Sequence, residues 1–140
     1  MKVEKTAIEG VITIEPEIFA DERGYFFESH NQRNFQQATG YDVSFVQDNQ
    51  SRSANKILRG LHYQVEHPQD KLVRVLDGTI YDVAVDLRVS SKTFGKWVGV
   101  EISAKNNKQI LVPKGFAHGF LVLSTAAIVV YKTSDYYNPS

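Results

Sequence analysis

Lys71-Leu-Val-Arg-Val-Leu-Asp-Gly-Thr-Ile-Tyr-Asp-Val-Ala-Val-Asp-Leu-Arg88 is the stretch that decides the fold class. Apolar and polar residues alternate on both sides of Asp77-Gly78, the period of a strand that buries one face. An Asp-Gly pair between two such runs predicts a hairpin, because a type I′ turn needs positive φ at both central residues. On the first run Lys71, Val73 and Val75 share a face. With the two valines toward the core, Lys71 is placed inside, near the mouth of a barrel. On the second run Asp82 shares its face with Ala84 and Asp86 and reads as an edge carboxylate.

Working outward, the same pattern predicts strands over Gly10–Glu15, Gly24–Glu28, Trp97–Ile102, Gln109–Val112 and Ala126–Tyr131. One short helix is expected over Asn31–Thr39, ended by Gly40. Many short strands between turn signals imply an all-β sandwich or jelly-roll barrel. The 140 residues suit one domain, residues 1–140, and no linker, repeat or low-complexity segment divides them.

Composition narrows the function. Sixteen basic and sixteen acidic side chains give a formal net charge of zero, which argues against a nucleic-acid partner. There is no cysteine, so disulfides, thiolate metal sites and cysteine nucleophiles are excluded together. Met1-Lys-Val-Glu-Lys-Thr6 lacks the apolar core of a signal peptide, and no apolar run approaches a membrane span. The expectation is a cytoplasmic protein without a membrane partner.

Two polar motifs interrupt the apolar pattern, Leu58-Arg-Gly-Leu-His-Tyr-Gln64 and Pro113-Lys-Gly-Phe-Ala-His118. The Pro-x-Gly-x-x-His turn resembles the second motif of the cupin superfamily. His62 and Gln64 resemble the His-x-His pair of its first motif, and Lys71 precedes Gly78 where a glutamate would stand. Two of the usual metal ligands, His62 and His118, are then kept, and two are replaced. An ammonium repels a divalent cation and offers no lone pair while protonated. Two imidazoles alone fall short of a transition-metal site. No metal is expected. The remaining groups suit proton transfer at carbon: a neutral imidazole as base, a lysine cation beside a developing oxyanion, and a phenol from Tyr131. Read alone, His62 is more simply a satisfied core histidine.

It does not stand alone. Phe19-Ala-Asp-Glu-Arg-Gly-Tyr-Phe-Phe-Glu28, Phe45-Val-Gln-Asp-Asn-Gln-Ser51, the His62 block, Lys71-Leu-Val-Arg-Val75, Asp82-Val-Ala-Val-Asp86, Thr93-Phe-Gly95, Gly115-Phe-Ala-His-Gly-Phe120 and Tyr131-Lys-Thr-Ser-Asp-Tyr-Tyr137 occur in this order. Together they closely resemble the dTDP-4-dehydrorhamnose 3,5-epimerase family. The resemblance implies a cupin jelly roll, usually a homodimer, that works without metal or organic cofactor. It implies inversion of the two carbons flanking the ketone of dTDP-4-dehydro-6-deoxy-D-glucose, in the making of rhamnose for cell-surface polysaccharides.

By motif, the resemblance makes His62 the base, Tyr131 the returning acid and Lys71 the cation at the ketone oxygen. Arg23 and Arg59 would hold the pyrophosphate through charge-assisted forks. Glu28, Gln47 and Asn49 would contact the nucleoside, Phe26 would stack on the base, and His118 would line the sugar pocket. His30 and His67 match no functional position and read as surface histidines; Tyr136 and Tyr137 read as packing or partner contacts.

The family also carries a tryptophan-rich C-terminal segment with an aspartate that pairs with the catalytic histidine. That segment is expected to be absent from a chain ending at Asn138-Pro-Ser140, with Asp82 as a substitute partner for His62. Three other readings stay open at this point. One is an epimerase acting at a single carbon or a ketoisomerase of the same substrate class. Another is a sugar-nucleotide binder weakened by the missing segment, and the last is a metal-dependent cupin oxygenase.

Overall fold

The computed structural model describes residues 1–137, so the chain end at 138–140 lies outside the described residues. The elements in chain order are β1 (Lys2–Lys5), β2 (Ile12–Glu15), β3 (Phe19–Asp21), β4 (Gly24–Phe26), α1 (Gln32–Thr39), β5 (Gln47–Ala54), β6 (Leu58–His62), β7 (Lys71–Asp77), β8 (Thr79–Asp86), β9 (Trp97–Ser103), β10 (Gln109–Val112), β11 (Phe116–Val122) and β12 (Ala126–Thr133). Pairing is antiparallel throughout. One sheet has the order β1-β2-β10-β7-β12-β5, a second the order β6-β11-β8-β9, and β3 and β4 form a separate ribbon. The expected all-β jelly roll is therefore the observed architecture.

Alternation explains where the core sits. Val73 and Val75 from β7, Ile110 and Val112 from β10, and Val129 from β12 turn inward from the larger sheet. Ile80 and Ala84 from β8, Ile102 from β9, and Phe116, Phe120 and Val122 from β11 meet them from the smaller one. The opposite faces of β2, β7 and β10 present Ile12, Ile14, Leu72 and Leu111, which Phe35 of α1 covers. Full burial of a side chain such as Phe35 is worth about 1.5–3 kcal/mol. Helix α1 starts where the Asn31 side chain accepts a hydrogen bond from the Asn34 amide, and stops at Gly40 as expected.

The hairpin expected at Asp77-Gly78 does not form. Strand β7 pairs with β10 and β12, whereas β8 pairs with β11 and β9, so the chain crosses here from one sheet to the other. Of the two turn residues only Gly78 has positive φ, 86°, and a type I′ turn needs it at both. Glycine is required for a second reason. A Cβ at residue 78 would lie 2.2 Å from the Ala126 carbonyl oxygen. The crossing is held by the Ala104 amide donating to the Gly78 carbonyl at 3.1 Å, and by the Thr79 amide donating to Ser124 Oγ at 2.9 Å.

Two further expectations are corrected. Asp82 is 0% exposed and lies inside the barrel, not at an edge. His30 is not a surface histidine: its ring packs 5.5 Å from Phe45 and 5.8 Å from Phe35, and burial lowers its pKa. His67 is half-exposed, 4.0 Å from Asp135.

Gly78→Ala is expected to destabilise the fold by about 2 kcal/mol or more, since it adds strain at positive φ to a backbone clash. A thermal melt checks this, and a melting temperature equal to that of the parent chain would contradict the account of the crossing.

Candidate active site

At one end the two sheets leave a cavity of about 560 Å³, lined by Gln47, Asn49, Leu61, His62, Tyr63, Gln64, Pro68, Gln69, Lys71, Gly115, Phe116, Tyr131 and Tyr137. The expected catalytic groups His62, Lys71 and Tyr131 thus share one hollow. Each is placed by its strand. His62 ends β6, where a slip in the β6–β11 register sets it directly opposite His118. Lys71 opens β7 on the same face as the buried Val73. Tyr131 lies on β12, opposite Val73 on one side and Asn49 on the other. The Lys71 ammonium stands 5.7 Å from the centroid of the Tyr131 ring, so it points into the cup.

His118, expected to line the sugar pocket, is not among the residues that line the cavity; it stands opposite His62 on the paired strand and meets a carboxylate expected at an edge. His118 Nε2 lies 2.9 Å from both carboxylate oxygens of Asp82, and the two residues are 6% and 0% exposed. A carboxylate only accepts, so this nitrogen carries the proton and donates it. Asp82 therefore partners His118, and the expectation that it stands in as a partner for His62 is not met. Its charge also reaches Lys71. Burial lowers the Lys71 pKa from the ordinary lysine value, and Asp82 opposes that shift by attraction to the ammonium.

The nucleotide-binding residues expected from motif divide into two groups. Gln47 and Asn49 line the cavity, with Gln47 Nε2 donating to Asn49 Oδ1 at 2.9 Å. Arg59 is not among the lining residues; on β6 its Nε donates to Ser53 Oγ at 2.7 Å. Arg23, Phe26 and Glu28 are not brought to the cavity. Arg23 pairs with Asp21 at 2.6 Å on the β3–β4 ribbon, and Phe26 lies on the same ribbon, 67% exposed. Glu28 Oε2 accepts from Asn31 Nδ2 at 2.8 Å beside the start of α1.

Tyr137, expected to be a packing or partner residue, lines the cavity, and its amide donates to Gln47 Oε1 at 3.1 Å. Phe116 was also missed as a wall residue. Its place one step before Ala117-His118, on the strand that carries the polar motif, was the available signal. Among the described residues, no group of three or more His, Cys, Asp or Glu side chains is gathered to hold a metal ion.

Comparison with known proteins identifies the family and supports the fold. The family model described as dTDP-4-dehydrorhamnose 3,5-epimerase matches residues 5–140. The chain is 58% identical over 139 residues to dTDP-4-dehydrorhamnose 3,5-epimerase of Pseudomonas aeruginosa, covering 99% of this chain and 77% of that protein. It is likewise 58% identical over 140 residues to the Escherichia coli enzyme of that name, covering 99% and 76%. A crystal structure of dTDP-6-deoxy-D-glucose-3,5-epimerase from Legionella pneumophila, in complex with dTDP-4-keto-L-rhamnose, superimposes with a TM-score of 0.96 at 51% identity. That match covers 99% of this chain and 73% of the other.

The electrostatics can be checked in the free protein. Asp82→Asn removes the charge that opposes burial, so the Lys71 pKa falls further below the ordinary lysine value. An NMR titration of the Lys71 side chain reads this directly, and an unmoved midpoint would show that Asp82 does not act on the ammonium.

Proposed function

The chain belongs to the dTDP-4-dehydrorhamnose 3,5-epimerase family, and on that premise we propose that it epimerises dTDP-4-dehydro-6-deoxy-D-glucose at C3 and C5. It is then an isomerase, and its product is dTDP-4-dehydro-L-rhamnose. The observation that carries the reading is the convergence of His62, Lys71 and Tyr131 on one cavity, with the ammonium turned inward.

The chemistry follows from the groups. A hydrogen on a carbon beside a ketone becomes acidic only if the negative charge moving onto the ketone oxygen is stabilised. His62 takes that proton as the general base. Lys71 faces the oxygen as charge builds on it, and its lowered pKa makes it a readier donor there. Tyr131 returns a proton to the opposite face of the carbon, so the configuration inverts. The phenolate then regains a proton and the imidazolium loses one, which resets the site. The same cycle serves both carbons, because each is adjacent to the same ketone. His118, held by Asp82 and paired opposite His62, backs the strand that carries the base.

The nucleotide half of the site needs a second copy of the chain in this reading. Arg23 and Phe26 stand on a ribbon that pairs with neither sheet and lies apart from the cavity, and Glu28 lies just beyond it. Phe19, Tyr25 and Phe26 of that ribbon are 55%, 72% and 67% exposed, an apolar surface that calls for a partner. We infer a homodimer in which each ribbon reaches the cup of the other subunit, with Arg23 on the pyrophosphate and Phe26 and Glu28 at the nucleoside. Among the described residues, no helix is long and apolar enough to cross a membrane. Work on a soluble nucleotide sugar in the cytoplasm, supplying rhamnose for polysaccharides, fits the substrate class.

Two experiments test these points. In heavy water, NMR of the dTDP-ketosugar is expected to show deuterium entering at both C3 and C5. His62→Ala slows uptake at both by about 10²–10⁴, the usual contribution of a placed general base. Label at a single carbon, or near-normal uptake by a folded His62→Ala protein, would refute the assignment. Mixing inactive His62→Ala and Phe26→Ala chains after co-refolding is expected to restore about a quarter of wild-type activity, one intact site in each mixed dimer. No recovery would mean that each ribbon serves its own subunit.

A further inference from the structure

The Asp82–Asp86 and Thr93–Gly95 blocks carry family resemblance, yet the reaction above leaves Asp86, Thr93 and the neighbouring Arg88 without a role. These residues meet behind the cavity wall. The Asp86 carboxylate is 0% exposed and collects donors. The Arg88 amide and Nε donate to its Oδ1 at 2.9 and 3.0 Å, and Arg88 Nη2 donates to Oδ2 at 3.0 Å. The hydroxyls of Ser91 and Thr93 donate to Oδ2 at 2.6 and 2.5 Å. Burial alone would raise the Asp86 pKa. The hydrogen bonds from Arg88, Ser91 and Thr93 outweigh it and hold the group well below the usual carboxylate range.

Such a fork leaves the guanidinium one orientation. Its Nη2 also donates to the Glu9 carbonyl at 3.0 Å, and its carbon lies 4.7 Å from the centroid of the Phe116 ring. The Arg88 stem fills the space beside Gly115. That residue has φ 91°, and a Cβ there would lie 2.7 Å from Arg88 Cγ. The Leu87 amide closes the contact by donating to the Gly115 carbonyl at 3.0 Å. Gly115 and Phe116 line the cavity and Arg88 does not. Two residues beyond Phe116 on β11 stands His118, opposite His62.

We propose that Arg88 is a positioning residue: clamped by Asp86, it carries the Gly115–Phe116 wall and so sets how the sugar ring lies between His62 and Lys71. The inference rests on the reaction proposed above. A wall that gives by a fraction of an ångström tilts the ring, and the two carbons beside the ketone then present themselves unequally to one base. A residue that only stabilises the fold would change the active fraction and leave the balance between the carbons alone.

Arg88→Lys keeps a cation for Asp86 and loses the planar fork and the stack on Phe116. Deuterium uptake into the dTDP-ketosugar is followed for this variant and for the parent chain. The expected result is unchanged dTDP affinity, turnover lower by about tenfold, and an altered ratio of label at the two carbons. Where Arg88→Lys does not fold, Arg88→Gln serves, because it retains a planar head on a shorter stem. Unchanged turnover and label ratio would overturn the inference. A loss of turnover at constant label ratio would overturn it too, since that marks fewer folded sites. Absence of uptake by the parent chain would instead remove the reaction itself, and this role with it.

Discussion

The chain passes from one sheet to the other between Asp77 and Thr79, and most of what the cup can do depends on that passage. Because consecutive strands lie in facing sheets, the inner faces of β7 and β8 look at each other across the core. Val73 and Val75 meet Ile80 and Ala84 there, all of them buried. At about 1.5–3 kcal/mol for each buried aliphatic side chain, this contact fixes the spacing of the sheets far more firmly than any polar pair. Lys71 and Asp82 sit on the same two inner faces and inherit that spacing. A hairpin would have put the two strands side by side in one sheet, with no cavity between them.

Within that frame the polar groups hold one another in place. Desolvation of a lone carboxylate is expensive, and Asp82 offsets it through the hydrogen bond from His118 and its attraction to Lys71. Burial still prevails at Lys71, whose pKa falls despite the attraction. A lysine shifted this way keeps its attraction to Asp82 yet holds its proton less tightly than an ordinary one. In the proposed reaction that is the balance required beside an oxygen that becomes negative and then neutral again within one turnover. Asp82 thus fixes the orientation of one neighbour and favours the charged form of another.

Legibility in the sequence followed burial pattern. Gln109–Val112 and the helix with its Asn31 and Gly40 ends were readable because local signals and tertiary environment agree there. Strand β5, Gln47–Ala54, was not readable: its burial alternates, but the inward side chains are polar because they face the cup. Strand β11 hid for the opposite reason, being buried on both faces and broken by His118 and Gly119. Asp77-Gly78 misled because the dipeptide reports a need for positive φ, not which strand lies next door. Among site residues, His62, Lys71 and Tyr131 were legible from motif and face. Asp82 was not, since its partner is 36 positions away and alternation alone cannot distinguish an inner face from an edge.

The placement of the two halves of the site follows from what each must tolerate. Proton transfer demands donors and acceptors held within a fraction of an ångström, so its groups belong on strands whose neighbours are the packed core. In the proposed reaction Lys71 and Tyr131 meet that condition on β7 and β12, whereas His62, on the exposed edge strand β6, is held by its pairing with β11 opposite His118. Recognition of a charged nucleotide works through forks and stacking over a longer reach, and it tolerates an element ordered only on assembly. The β3–β4 ribbon, three residues per strand and exposed throughout, would be covered only on assembly in the proposed dimer. In the proposed dimer, binding energy gathered on Arg23 and Phe26 of one subunit is spent at the reacting carbon of the other. Catalysis and assembly are then coupled by geometry, because a cup without its neighbour's ribbon keeps the base and the cation but loses the hold that presents a carbon to them.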